Sequence, residues 1–509
     1  MTDARGQAEQ AEREDLSALA RGGRANVLGF VLRLAARIPF LFVAGRLYGA
    51  STLGRFAYAV LVVEFAAQLA TMGLKRGLAD QLARDSRDQS HVVADALWLC
   101  FVGSAAAAGL LMIFPEAMFP NSGLNGLDRL LPLVIIAIAV TDVALAACAY
   151  QYNIAATVRA RAIVEPWTIS IAAFALYFYS ERDGLILSYV ASMVAAMIAS
   201  LWPLLRHYSL APGWRPSLAR TWRLAMRNLP LAGADAIEWG TRRLDLAILG
   251  LFASPYVVGI YYVAQQVASL PQKLKTSFEP ILGPVITRNI KLGNYEAIAR
   301  QVSQVGFWIV AAQLGVALAL GIPGEAVMGL VGPTFVVGAL ALGGLLAAEV
   351  LASPAVVSEA ALVYVARLRN LYISLGTVAL QAVLTVGLLI AARRAELDDA
   401  YVAAMPAVAL AIALACGAVV KSWLLARLLN SRITIWRASL IICGAVTTLV
   451  GLGFVMLPRR FEWVELVIGL PVTLAVYALL TWKIAFREAD RALFSKSKLG
   501  GKASEAAAS

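Results

Sequence analysis

The sequence predicts an all-α, polytopic membrane protein with about fourteen transmembrane helices. Three observations carry that prediction. Hydrophobic residues fill 60% of the 509 positions and charged residues only 15%, with a mean hydropathy of +0.73, a composition far from that of a soluble domain. Apolar stretches long enough to cross a bilayer recur at approximately 25–45, 56–74, 92–114, 130–152, 164–180, 185–205, 231–252, 257–279, 304–322, 334–356, 371–392, 401–421, 438–457 and 465–484. Positive charge alternates between the intervening loops: 32 of the 44 Lys and Arg residues lie on the N-terminal side, 8 on the opposite side and 4 within spans. Because one miscounted span would invert every later loop, this alternation tests the count, and it predicts that both termini are cytoplasmic.

Residues 1–24 are polar, with no apolar h-region or cleavage site, and read as a cytoplasmic tail rather than a signal peptide. Residues 25–205 form a first six-helix lobe. Residues 206–230, with Pro212, Gly213 and Pro216 as breakers, are expected to be a cytoplasmic linker. A second six-helix lobe then occupies 231–425, two additional helices occupy 426–485, and 486–509 is a polar tail expected to be disordered. The longest outer loop, Pro115 to Arg129, has no cluster of carboxylates or histidines. It leaves no room for an extracytoplasmic catalytic domain.

Composition excludes further classes. The net charge of +12 fits basic loops beside anionic lipid and implies no nucleic-acid partner. Cys100, Cys148, Cys416 and Cys443 lie in apolar runs without CxxC spacing, which argues against a disulfide framework or metal site. His91 and His207 are the only histidines, so histidine-based catalysis is poorly supplied. No catalytic residue, metal or cofactor is expected.

The seventh span breaks the pattern. Asn228 to Phe252 has the length of a span yet carries Asp235, Glu238, Arg242, Arg243 and Asp245. Each such charge at the centre of a lipid-facing helix costs about 2.5 to 3.5 kcal/mol, against roughly 0.3 to 0.6 gained per Leu or Ile, so the segment needs a polar interior supplied by other helices. Asp235, Glu238, Arg242 and Asp245 fall within about 80° of helical arc. That face is a candidate pathway lining. If 228–243 instead lay in the interface and one span ran from Leu244 to Ala264, the loop with Lys273, Lys275, Arg288, Lys291 and Arg300 would move outside and all later loops would invert.

A weak internal repeat pairs this span with the first. Leu53, Gly54, Arg55 and Phe56 precede the second span, and Val258, Gly259, Ile260 and Tyr261 begin the eighth, 205 residues later. The same offset carries Arg33 onto Glu238 and Arg37 onto Arg242. Repeats of this kind place a binding site between lobes.

The segments LGRFAYA after the first span, GLKRGLADQLAR after the second, and LPLAGADAIEWGTRRLDLAILGLFASPYVVGIYYVAQQVASLPQ across the seventh and eighth resemble the polysaccharide and oligosaccharide (lipid-linked O-antigen-type) flippases of the multidrug/oligosaccharidyl-lipid/polysaccharide exporter superfamily. The resemblance covers most of the first twelve spans. It implies two six-helix lobes around a central cavity, two appended helices and alternating access in a bacterial inner membrane. It also implies a substrate: a glycan linked through diphosphate to a polyprenyl lipid, moved to the outer leaflet for polysaccharide or lipopolysaccharide synthesis, with glycosyltransferases and a glycan polymerase as partners besides membrane lipids.

A diphosphate in a low-dielectric cavity needs cations, and the planar guanidinium fork suits phosphate. Arg33 and Arg37, one turn apart, and Arg242 at the repeat-equivalent depth are the candidates; the competing reading has Arg37 and Arg242 paired with Asp235 or Glu238 to hold lobes together. Arg243, about 100° from Arg242, reads as a structural partner. Glu64, Asp142 and Asp245 are coupling-ion candidates for H⁺ or Na⁺, as burial raises and a neighbouring Arg lowers a carboxylate pKa. Asp235 and Glu238 can serve either role. Glu349 and Glu359 are secondary candidates, with a helix break expected at Ser353–Pro354. Trp239, Tyr261 and Tyr262 could stack on sugar or anchor the interface. The alternatives are a cation-coupled small-molecule antiporter of the same superfamily and a membrane glycan polymerase or ligase.

Overall fold

The computed structural model describes residues 38–456 apart from 86, 209–211, 277–285, 287–289 and 291–293, together with 462–487 and 490. Every regular element among the described residues is a helix. The chain divides into two compact units, residues 1–259 and 260–509.

In the first unit a π-helical stretch, Ala44–Tyr48, runs into α1, Gly49–Ala70. Met72 and Gly73 then take left-handed backbone angles, φ 50° and 71°, and the chain resumes as α2, Leu74–Arg84. Asp88 caps α3, Gln89–Ile113, by accepting from the Ser90 amide at 2.9 Å. There follow α4, Val134–Tyr150, a second π-helical stretch at Val158–Val164, α5, Glu165–Tyr177, and α6, Gly184–Tyr208. The charged span is part of α7, Leu218–Phe252, an unbroken 35-residue helix. At 1.5 Å per residue it is about 52 Å long, well beyond a hydrocarbon core of about 30 Å. α8, Pro255–Thr276, begins in this unit.

Glycines permit the tightest approaches. A Cβ at Gly54 would overlap the Pro255 carbonyl and the Gly259 amide, and a Cβ at Gly259 would overlap the Ala50 carbonyl. The two glycines matched by the 205-residue repeat thus lie against one another, backbone to backbone, as small residues do where membrane helices cross closely. Gly73 and Gly77 likewise bring α2 onto Asn228 and Leu231 of α7. Next to Gly54 on α1, Arg55 is buried and ion-paired with the fully buried Asp128, with its guanidinium 4.5 Å from the Phe119 ring centre. Arg55 is therefore a core residue rather than the loop residue expected from sequence, because Asp128 supplies its counter-charge.

The second unit holds α9, Tyr295–Gly321, α10, Gly324–Val331, α11, Ala339–Val365, α12, Arg367–Arg394, α13, Asp399–Leu428, α14, Ala438–Val455, and α15, Leu470–Leu480. Tyr477 of α15 donates to the Ala311 carbonyl at 2.7 Å, so the last hydrophobic helices pack on α9.

Each expected span from the second to the fourteenth overlaps a helix, and the first is described only from Ile38. Ten described helical stretches are long and apolar enough to cross a membrane; α5, α7, α8 and the short α10 are outside that set. The chain is a multi-pass membrane protein. Three local expectations are corrected. The loop at 75–91 is largely α2, and 218–230 of the expected linker is the start of α7, helical immediately beyond the breakers Pro212, Gly213 and Pro216. Pro354 does not break α11; the helix runs through it, and Ser353 Oγ donates to the Glu349 carbonyl at 2.9 Å.

Candidate functional site

The charges of α7 meet α2. Arg76 Nε lies 3.0 Å from Asp235 Oδ1, and its Nη2 lies 2.5 Å from Glu238 Oε2. Asp235 is buried, and Arg76 and Glu238 are about half exposed. Glu238 also accepts from Arg242 at 3.0 Å, one helical turn on, so one guanidinium from α2 and one from α7 share a carboxylate. Arg242 itself is 64% exposed. An exposed i,i+4 pair contributes only about 0.3 to 0.5 kcal/mol, so its guanidinium can exchange partners at little cost.

Lys75, adjacent to Arg76, turns toward a different group. A cavity of about 490 Å³ is lined by Glu64 and Gln68 of α1, Lys75 of α2, Asp142 of α4, Arg161 of the second π-helical stretch, Glu165 of α5, Tyr189 of α6 and Trp239 of α7. Arg161 ion-pairs with Asp142 and lies 2.7 Å from Glu165, while Lys75 Nζ is 3.9 Å from Asp142. Glu64 accepts from Tyr189 Oη at 3.4 Å and lies 3.8 Å from Arg243. Three carboxylates and two cations thus surround a space within the span region, where ionisable groups mark pathways and relays. The π-helical turn that carries Arg161 is itself a geometry common at functional sites.

This arrangement gathers two of the coupling-ion candidates, Glu64 and Asp142, in one cavity. It sets Asp235, Glu238 and Arg242 apart, in the cluster on Arg76. Asp245 is buried farther along α7, its carboxylate accepting from the Leu246 amide at 2.8 Å. Arg33 and Arg37 lie outside the described residues. Trp239 lines the cavity and stacks on Phe65 at 5.0 Å. Tyr261 is fully buried in the second unit, which removes it from both interface anchoring and sugar stacking. In the second unit Glu359 accepts from Lys421 at 2.8 Å, and Glu349 is buried a few turns away.

A model of the polysaccharide biosynthesis protein family matches residues 43–305, just over half of the chain. The chain belongs to that family. The matched region includes the cavity and the Arg76 cluster alike. Among solved structures, the lipid II flippase MurJ in an inward closed conformation superposes with a TM-score of 0.67 at 11% identity, over 90% of this chain and 99% of MurJ. A multidrug resistance MATE family transporter of the MOP superfamily, inward-facing, gives 0.59 at 14% identity over 79% and 96%. A MOP superfamily transporter from Pyrococcus furiosus, described as having a binding pocket of reverse polarity, gives 0.52 at 13% over 81% and 95%. These likenesses establish the fold, which the chain shares with MurJ and the MATE family transporter. No curated protein matches by sequence.

Sequence reasoning missed the family member's basic partners. By position alone Lys75, Arg76 and Arg161 read as loop charges, and Glu165 as the start of a span. The available signals were Gly73 and Gly77, small residues four apart beside Lys75 and Arg76, and the four-residue spacing of Arg161 and Glu165 at the start of a span.

Proposed function

We propose that this chain is a flippase that moves a polyprenyl-diphosphate-linked oligosaccharide from the cytoplasmic to the outer leaflet of a bacterial inner membrane by alternating access, without covalent chemistry, for polysaccharide or lipopolysaccharide synthesis. The observation that carries this reading is the charged cavity in a unit whose sequence belongs to a polysaccharide biosynthesis family. A glycan diphosphate cannot cross a hydrocarbon core bare; it needs a polar path and exchangeable cations. Arg242 is half of an exposed pair and can exchange Glu238 for phosphate, with Arg33 and Arg37 proposed to complete the grip. Glu64 and Asp142, held by Arg243, Arg161 and Lys75, are the groups at which H⁺ or Na⁺ would redistribute charge as the site changes access.

A second reading has its own support. The described cavity lining carries three carboxylates against two cations, a balance that suits a cation better than a diphosphate. A cation-coupled small-molecule antiporter would use the same residues with the substrate charge reversed. Deleting the gene in the organism that carries it separates the two. The flippase reading expects lipid-linked glycan to accumulate, accessible only from the cytoplasmic side; unchanged glycan export with new sensitivity to organic cations would replace it with the antiporter.

A further inference from the structure

Outside the translocation cavity, a second cavity of about 510 Å³ lies where the ends of α2, α3 and α7 meet. Arg87, Arg220, Arg223 and Arg227 line it together with Asp85 and Asp95. The two carboxylates are already engaged. Each lies 2.8 Å from Arg87, and Asp95 also accepts from Trp214 Nε1 at 2.8 Å and lies 3.4 Å from Arg220. Arg223 donates to the Ala219 carbonyl, one turn back on its own helix, at 3.3 Å. Arg227 reaches Gln81 at 3.0 Å and Asp80 at 3.3 Å. Four guanidiniums against two carboxylates leave the wall positive, and guanidiniums gathered on a cavity are suited to a phosphate oxyanion.

The same stretch of α7 shows where that phosphate comes from. Arg220, Arg223 and Arg227 fall within about 60° of helical arc, and Leu218, Trp222, Met226 and Leu229 form a separate stripe centred about 140° away. All four are exposed, Leu218 at 87% and Trp222 at 65%. This is the part of α7 that its length carries past a hydrocarbon core. At that level a basic face meets lipid headgroups, and an apolar face holding Trp meets the boundary between headgroups and acyl chains. A soluble anion would leave the exposed apolar stripe unexplained. A lipid accounts for both faces.

We propose that this cavity binds the phosphate headgroup of an anionic membrane lipid, gripped by Arg220, Arg223 and Arg227 of α7 and by Arg87 ahead of α3. The bound lipid ties the start of α7 to the end of α2, at a distance from the residues assigned to glycan.

The test uses the full-length chain, purified and stripped of lipid, titrated with short-chain phosphatidylglycerol, short-chain phosphatidylcholine and glycerol phosphate, with bound mass read by native mass spectrometry. Phosphatidylglycerol is expected to bind about tenfold tighter than either competitor. Arg223→Glu is expected to weaken it about tenfold, and Arg300→Gln in α9 to leave it unchanged. If the reversal disturbs folding, Arg223→Gln and Arg227→Gln replace it, each expected to weaken binding about threefold. Phosphatidylcholine binding equally well would overturn recognition of a net negative headgroup, and glycerol phosphate binding equally well would overturn the lipid as its source. Undiminished phosphatidylglycerol binding in the Arg223 and Arg227 variants would overturn the site itself.

Discussion

Arg76 Nε sits 3.0 Å from Asp235 Oδ1, joining a helix that the loop-charge pattern counted as loop to the middle of the most charged span. The pair explains how α7 tolerates a buried carboxylate: α2 delivers a guanidinium to it, with Gly73 and Gly77 allowing the approach. Removing the cation should therefore cost more than removing both charges. Arg76→Ala is expected to destabilise the protein by about 1 to 3 kcal/mol, less than a fully buried pair because Arg76 is half exposed. Adding Asp235→Asn should recover much of the loss. Thermal unfolding in detergent measures both, and equal melting of single and double variants would show that the pair does not carry the effect.

Arg161 holds Asp142 and Glu165 together across the cavity. Arg161→Ala leaves Asp142 with only Lys75, 3.9 Å away, and strips Glu165 of its cation, and is expected to reduce transport at least about tenfold. A cycle with Asp142→Asn should give a coupling of roughly 1 to 3 kcal/mol in stability. Additive melting shifts would mean that the two side chains act independently.

Glu64 and Asp142 are proposed to carry the coupling ion. Glu64→Gln and Asp142→Asn are expected to lower the response of transport to an imposed H⁺ or Na⁺ gradient while substrate binding persists. A response to both gradients identical to that of the wild type in each variant would remove these residues from coupling.

Gly54 and Gly259 pack backbone to backbone. Gly54→Val has no space without displacing α1 from α8 and is expected to cost about 3 kcal/mol or more, or to abolish folding. Gly240→Ala, where an added Cβ meets nothing within 4 Å, is the matched control. Expression and melting temperature distinguish them.

Hydrogen bonds from Arg87 hold the Asp85 carboxyl down, from 3.8 to about 2. A depressed carboxylate pKa stabilises the folded state fully above its unfolded value and loses that contribution as pH falls through the folded value. The melting difference between wild type and Asp85→Asn should therefore hold steady from about pH 5 to 8 and shrink between about pH 4 and 2. A difference that widens on acidification would contradict the assignment.

The helix order was legible because lipid imposes length and loop charge imposes alternation, and neither depends on partners distant in sequence. Asp235 and Glu238 could be recognised as anomalous for the same reason, since their cost in lipid is local. Their partner Arg76 could not be, because a residue just beyond an apolar run reads as loop whether it faces water or turns back into the protein. Lys75, Arg161 and Arg55 were hidden in the same way. The repeat at Gly54 and Gly259 was visible as a pattern, but only the close approach of the two backbones gives it a physical meaning. Tyr261, aromatic beside a charged span, reads as an interface anchor or a sugar contact and is core.

The central claim is translocation, and reconstitution tests it most directly. The purified chain is placed in liposomes with a fluorescent polyprenyl-diphosphate oligosaccharide made by its own host, and exposure of the glycan to a membrane-impermeant glycosidase is followed in time. The account predicts accelerated exposure that is lost on Arg242→Ala with unchanged melting. Exposure no faster than in protein-free liposomes, while a related flippase accelerates it under the same conditions, would contradict it.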